Sequence, residues 1–168
     1  MPTPNVAPDR KPAKPATTQA IALLKADHKK VAGLFEQYES AKDNEDKKAE
    51  LADQICVELT IHATIEEEIF YPAARDALDE DDMDLLEEAE VEHDGVKRLV
   101  AEIEEALEGD GPDEKMDAKV KVLGEYVTHH VKEEETEMFP KLEATDMDME
   151  AIGAELATRK QELLDATA

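Results

Sequence analysis

The chain has 168 residues, with 44 acidic against 19 basic side chains and a formal net charge of −25. Such a surface repels polyphosphates and anionic lipid, so nucleic acid and membranes are excluded as partners, and no apolar run approaches the roughly 20 residues of a spanning helix. With 38% charged residues, 4% aromatics and six glycines, the composition points to one all-α domain large enough to bury a core.

Residues 1–16 hold five of the eight prolines and almost no large hydrophobes. They are expected to form a disordered, Pro-rich tail, and they lack the apolar stretch of a secretory signal. A first helix is predicted from Thr18 to Ala41, with the stripe Ile21, Leu24, His28, Val31 and Phe35 at three- and four-residue steps. Lys42 to Asp46 break it. A second runs from Asp46 into the region of Pro72, with Leu51, Ile55, Leu59, His62, Glu66 and Ile69 on one face; Pro72 removes a hydrogen bond and predicts a kink, with helix continuing towards Leu78. The lone Cys56 excludes an internal disulfide, fits a reducing, cytoplasmic setting, and reads as a small buried hydrophobe.

The acidic run Asp79 to Asp82 offers N-caps for a third helix, Met83 to Glu108, whose stripe is Leu86, Ala89, His93, Val96, Val100, Ile103 and Leu107. Gly109 and Gly111 end it. Pro112 suits the first turn of a fourth helix carrying Val120, Leu123, Val127, His130, Glu134 and Met138. A shorter fifth helix begins around Thr145 to Asp148 and carries Ile152, Leu156 and Leu163. The expected architecture is an up-down-up-down four-helix bundle over residues 17–144, with residues 145–168 as an amphipathic helix docked outside it or at a dimer interface.

One motif occurs twice. His62 to Pro72 reads HATIEEEIFYP, and 68 residues later His130 to Pro140 reads HVKEEETEMFP. A glutamate four residues after a histidine shares its helix face, about 6 Å along the axis, so each copy aims an imidazole and a carboxylate the same way. Each long helix carries one histidine inside its apolar stripe. A lone core histidine is usually just hydrogen-bonded. Counting roughly 1.5 Å per residue from the loops, however, brings all four histidines and both glutamates to one layer. Buried unpaired carboxylates cost several kcal/mol each, and the stripes hold no Lys or Arg to offset them. A metal is the simplest remedy. Four imidazoles and two carboxylates suit iron, manganese or zinc and are too many for one ordinary zinc site; they fit two metals sharing bridging carboxylates. Two irons held so would keep open positions for dioxygen, peroxide or nitric oxide.

These residues resemble the hemerythrin-like, HHE cation-binding family. The resemblance rests on Asp27-His28, on His62 with Glu66 and the following Phe-Tyr-Pro, on Glu92-His93, and on His130 with Glu134 and the following Phe-Pro, over roughly residues 19 to 142. It implies a non-heme di-iron centre with a bridging oxo or hydroxo group, in which His28, His62, His93 and His130 are terminal ligands and Glu66 and Glu134 span two iron ions. Oxygen binding, iron or oxygen sensing, storage, and peroxide or nitric oxide handling are the implied functions. Hemerythrin proper has a further third-helix histidine where this chain has Lys97, and its last carboxylate is an Asp five residues beyond the histidine rather than Glu134 at four. One iron is thus expected to take water, Tyr71 or Tyr126 instead, which favours redox or peroxide chemistry over reversible carriage.

The primary expectation is a cytoplasmic di-iron protein, monomeric or weakly dimeric, that engages dioxygen or a related small molecule. A catalase-like enzyme and a non-catalytic iron storage or response protein are the alternatives. Each histidine is expected to donate its other ring N–H to an acceptor. Asp27 and Glu92 are expected to point away from the site, and His129 outward. Glu67, Glu68, Glu133 and Glu135 are read as solvated, with Glu67 the reserve ligand, and Phe35, Phe70 and Phe139 as core.

Overall fold

The computed structural model describes residues 19–167; the expected tail at 1–16 lies outside them. The helices are α1 (Ala20–Ser40), α2 (Glu45–Ile65), α3 (Tyr71–Ala77), α4 (Met83–Glu108), α5 (Glu114–Glu133), α6 (Phe139–Glu143) and α7 (Met149–Thr167). No strand occurs among the described residues. None of these helices is long and apolar enough to cross a membrane.

Caps set the boundaries. Gln19, Asn44 and Asp113 each accept a hydrogen bond from the backbone N–H three residues on, at 2.8, 3.1 and 2.7 Å, satisfying one otherwise unpaired donor in each first turn. Two expectations need correction here. Pro112 precedes the Asp113 cap instead of occupying the first turn. The acidic run before α4 makes a short 3-10 turn, Glu80–Asp82; Asp82 makes no side-chain cap, and its carboxylate takes Lys141 Nζ instead.

The proline expectation is also revised. Pro72 and Pro140 do not simply kink their helices. Each follows a π turn, Glu66–Phe70 and Glu134–Met138, in which the N–H of Tyr71 or Phe139 reaches back five residues to the carbonyl of Glu66 or Glu134. A proline cannot donate to the carbonyl four residues back and its ring crowds it; widening the turn by one residue relieves that clash. α2 and α3 therefore form one rod, as do α5 and α6, and with α1 and α4 they make the four-helix bundle.

The core is in two parts. Leu24, Ile65, Phe70, Leu86, Phe139 and Leu142 anchor one end, and Val31, Leu51, Ile55, Val100, Leu123 and the fully buried Cys56 fill the other. Between them runs a polar layer. α7 packs on α1, α2 and the first π turn through Leu156, which is fully buried among the residues of the first cluster. The fifth helix is therefore seated on its own bundle.

Candidate metal centre

α1, α2, α4 and α5 each deliver one histidine to the layer between the two cores. His28 and His62 have ring centroids 4.9 Å apart, and His93 and His130 4.8 Å apart. Glu66 and Glu134 enter between the two pairs, each as the first residue of its π turn. All six side chains are buried, the two glutamates at 0% and 2% exposure. They form two overlapping groups, His28, His62, Glu66 and Glu134, and Glu66, His93, His130 and Glu134, with ligand atoms in each within 4.8 Å of one another.

The spacing suits cations. Donor atoms at about 2.0–2.2 Å from one first-row ion stand roughly 3.0–3.5 Å from each other. Here His62 Nε2 is 2.7 Å from Glu66 Oε1, His28 Nε2 3.2 Å from Glu134 Oε1, His130 Nε2 3.1 Å from Glu134 Oε2, and His93 Nε2 3.6 Å from Glu66 Oε1. Among the described residues, the buried side-chain nitrogens and oxygens that lack a hydrogen-bond partner belong only to His28, His62, Glu66, His93 and Glu134. Unpaired buried polar atoms are rare in folded proteins. Their concentration in one layer, on nitrogen and carboxylate oxygen donors, fits a pair of first-row ions.

Around this layer stands a ring of carboxylates. His62 Nδ1 lies 3.0 Å from Asp27 Oδ2, and His130 Nδ1 3.2 Å from Glu92 Oε1. Asp27 and Glu92 thus do not point elsewhere, as a single-helix projection suggests; each sits before one histidine in sequence and serves the histidine of the neighbouring rod. Asp27 also takes the Lys160 ammonium from α7. The other two imidazoles face carboxylates at longer range, His28 Nδ1 3.6 Å from Glu135 and His93 Nδ1 3.9 Å from Glu67, so two of the four expected N–H donations are made. Glu67, read as solvated or as a reserve ligand, is tied to Lys97 at 2.5 Å, and Glu68 to Arg159 at 2.8 Å.

Charge follows this arrangement. Burial disfavours a charged His62, but the Glu66 carboxylate and the Asp27 hydrogen bond outweigh it and push its pKa up to about 10. His130 goes to about 11, burial again being overcome by Glu134 and Glu92. Burial raises the Glu66 carboxyl, yet His62 and His93 hold it well below the usual carboxylate range. Without cations the layer retains protons to balance its carboxylates; with cations those protons leave.

Tyr71 has a larger part than the sequence indicated. It is 1% exposed, and its hydroxyl donates to Glu134 Oε2 at 2.7 Å while standing 3.2 Å from His93 Nε2. Burial and the two glutamates push its pKa well up, so it stays a protonated donor. Tyr126, the other tyrosine considered, is 46% exposed and away from the layer. Lys97, in place of a further histidine, turns outward to Glu67. His129 is exposed and contacts Glu133 at 3.1 Å. Phe70 and Phe139 are fully buried core, Phe139 lying parallel to the His28 ring at 6.0 Å.

Known proteins share the sequence pattern, and a solved structure shares the fold. The model of the hemerythrin HHE cation binding domain matches residues 19–142. A crystal structure of a hemerythrin HHE cation binding domain-containing protein from Mycobacterium kansasii superposes with a TM-score of 0.72, covering 88% of each chain at 24% identity. A protein of Nostoc sp. described as a DNA nickase is 34% identical over 117 residues, 70% of this chain; the chain spans 31% of that relative's length.

Proposed function

The chain belongs to the hemerythrin HHE cation-binding domain family, and we propose that within it this protein is a non-heme di-iron protein that binds dioxygen or a related small molecule. In this reading His28 and His62 would hold one ion and His93 and His130 the other, with Glu66 and Glu134 common to both donor groups. The observation that carries this reading is the pair of overlapping donor groups sharing two glutamates, with the unpaired buried polar atoms confined to it. A bound iron pair would supply redox electrons and open coordination positions for dioxygen, peroxide or nitric oxide.

The chain's own residues define what reaches that position. A cavity of about 30 Å³ is lined by the four imidazoles, the Asp27 carboxylate and a set of aliphatic side chains that includes Val31, Leu59 and Val96. A recess of that size holds about one small molecule and excludes a metabolite-sized ligand. Asp27 and Glu92 fix the orientation of His62 and His130.

A catalase-like reading is favoured by one observation. Tyr71 brings a buried, protonated hydroxyl to the centre, where it donates to Glu134 and stands ready to donate a hydrogen bond to a peroxide oxygen. The nickase likeness adds no substrate: it covers under a third of that protein, and a net charge of −25 opposes a polyphosphate backbone.

The test is metal analysis of protein purified from its own host, with an optical spectrum. Two irons per chain and near-ultraviolet bands of a bridged pair are expected. One zinc per chain and no visible absorbance would overturn the proposal.

A further inference from the structure

Three seams of the bundle are closed and the fourth is not. α1 packs along α2, α2 along α4 and α4 along α5, and α7 lies over α1 and α2. α1 and α5 complete the ring but meet only sparsely. Their seam carries the small residues Ala32 and Gly124, which leave it unfilled where a core is normally close-packed. The Phe35 ring lies against Gly124, and a Cβ there would come to 3.3 Å from it. The result is an open groove of about 1030 Å³, running from Tyr38 and Asp117 at one end to His28 and Glu135 at the other.

The groove ends at the metal layer. The inner cavity of about 30 Å³ beside the four imidazoles lies behind a wall one side chain thick, because His28, Val127 and Val131 line both spaces. His28 is 8% exposed and neither ring nitrogen has a hydrogen-bond partner. Its Nε2 is 3.2 Å from Glu134 at the centre, and its Nδ1 is 3.6 Å from Glu135, a groove residue. One imidazole thus spans the wall. Val127 and Val131 stand about one helical turn apart on α5, and both are only half-buried although they line the inner cavity. A helical valine holds essentially one rotamer, so this pair presents a fixed bore and does not swing aside.

The geometry points to the α1–α5 groove as the route by which the small ligand reaches the centre, with Val127 and Val131 as the residues that limit what passes. This rests on the di-iron reading above, which supplies the destination. Dioxygen and nitric oxide are apolar and collect along an apolar wall in preference to water. A molecule of diatomic or peroxide size crosses the valine pair with a slight parting of two helices that hold each other weakly. A larger one meets branched side chains that cannot rotate away. A second recess, beside His130 and Glu134, measures about 10 Å³, room for one water and no passage.

The experiment uses the full iron-loaded chain, reduced and anaerobic, mixed with nitric oxide in a stopped-flow spectrometer, with release followed by a nitric oxide scavenger. A passage governs entry and escape alike, so a change in its bore moves both rates by one factor and leaves Kd unchanged. Val131→Phe should slow both at least about tenfold, the effect of a modest added steric barrier, and Val127→Ala should speed both. Circular dichroism checks the fold, and the alanine variant decides the matter where the phenylalanine variant does not fold. Unchanged rates in the folded variants would overturn the route and leave the di-iron reading standing. So would a change in release alone, which marks contact with the bound ligand. Iron-loaded wild type that forms no nitrosyl would overturn both. A readout independent of iron is xenon in crystals of the metal-free chain. Density on both faces of the valine pair is expected; density reaching the inner cavity only along another seam would overturn the route.

Discussion

Asp27, the residue before His28, places its carboxylate 3.0 Å from the Nδ1 of His62 on the neighbouring helix. One acidic side chain therefore belongs to α1 by sequence and to the α2 histidine by contact, and Lys160 of α7 holds its other oxygen. Removing it should free the His62 ring to rotate. Asp27→Ala is expected to weaken inner metal binding by about 10- to 100-fold, the usual effect of losing such a partner, read by competition with a calibrated chelator. Affinity equal to wild type would show that the imidazole is positioned by packing alone.

Tyr71→Phe keeps the ring in the core and removes only the hydroxyl. Glu134 Oε2 then loses its 2.7 Å donor. The metal-free protein should lose about 1–3 kcal/mol, the cost of leaving a buried acceptor unpaired, measured as a urea midpoint. Metal content should be unchanged. If the catalase-like reading holds, peroxide turnover by the iron-loaded variant should fall well below wild type; equal turnover would remove Tyr71 from the chemistry.

Stability should depend on pH in opposite ways with and without metal. His62 and His130 rise from 6.5 to about 10 and about 11 in the metal-free fold. A raised imidazole pKa stabilises the fold fully below 6.5, and that contribution is lost as pH climbs through 10 to 11. Glu66, held below its ordinary 4.5, works the other way: its contribution is present above 4.5 and lost as pH falls. The metal-free chain should therefore melt highest in mild acid and lower as pH rises. Ions take the place of those protons, so their binding strengthens over the same range. Thermal melts of chelated and iron-loaded protein at about pH 5.5 and about pH 9 should show a widening gap; a constant gap would contradict the charge balance described here.

Cys56 is fully buried between α2 and α4, and burial with Glu104 and Asp53 nearby pushes its thiol up to about 12. Only the thiolate reacts. The folded protein should resist iodoacetamide at about pH 8 and become fully alkylated in denaturant. Rapid labelling of the native chain, followed by mass spectrometry, would mean that this end of the bundle opens readily.

The helices and the inward layer were legible because α periodicity is local: four residues bring His62 onto Glu66 and His130 onto Glu134 whatever surrounds them. The partners of those histidines were harder to see. A helical wheel turns Asp27 and Glu92 away from His28 and His93, and only the neighbouring rods reveal that they meet His62 and His130. The signal was present in the twice-repeated acid-then-histidine pair. Tyr71 was underweighted for another reason. Five residues after Glu66 is off-face in an α-helix, but a π turn takes up the extra residue and returns the ring to the site. Pro72, with no N–H to offer the preceding turn, was the clue. Lys160 could not be read at all, because nothing local tells where a fifth helix will lie.

Those two π turns each absorb one residue more than regular winding needs, and both extras fall at the same height. Deleting Ile69 alone would let ordinary winding resume, with the tyrosine then four residues after Glu66 and still turned inward. What would return is the clash that the wide turn relieves, the proline ring against the carbonyl four residues back, at roughly 3 kcal/mol. Loss of one residue from such a turn should therefore lower stability while leaving the direction of every side chain beyond it unchanged.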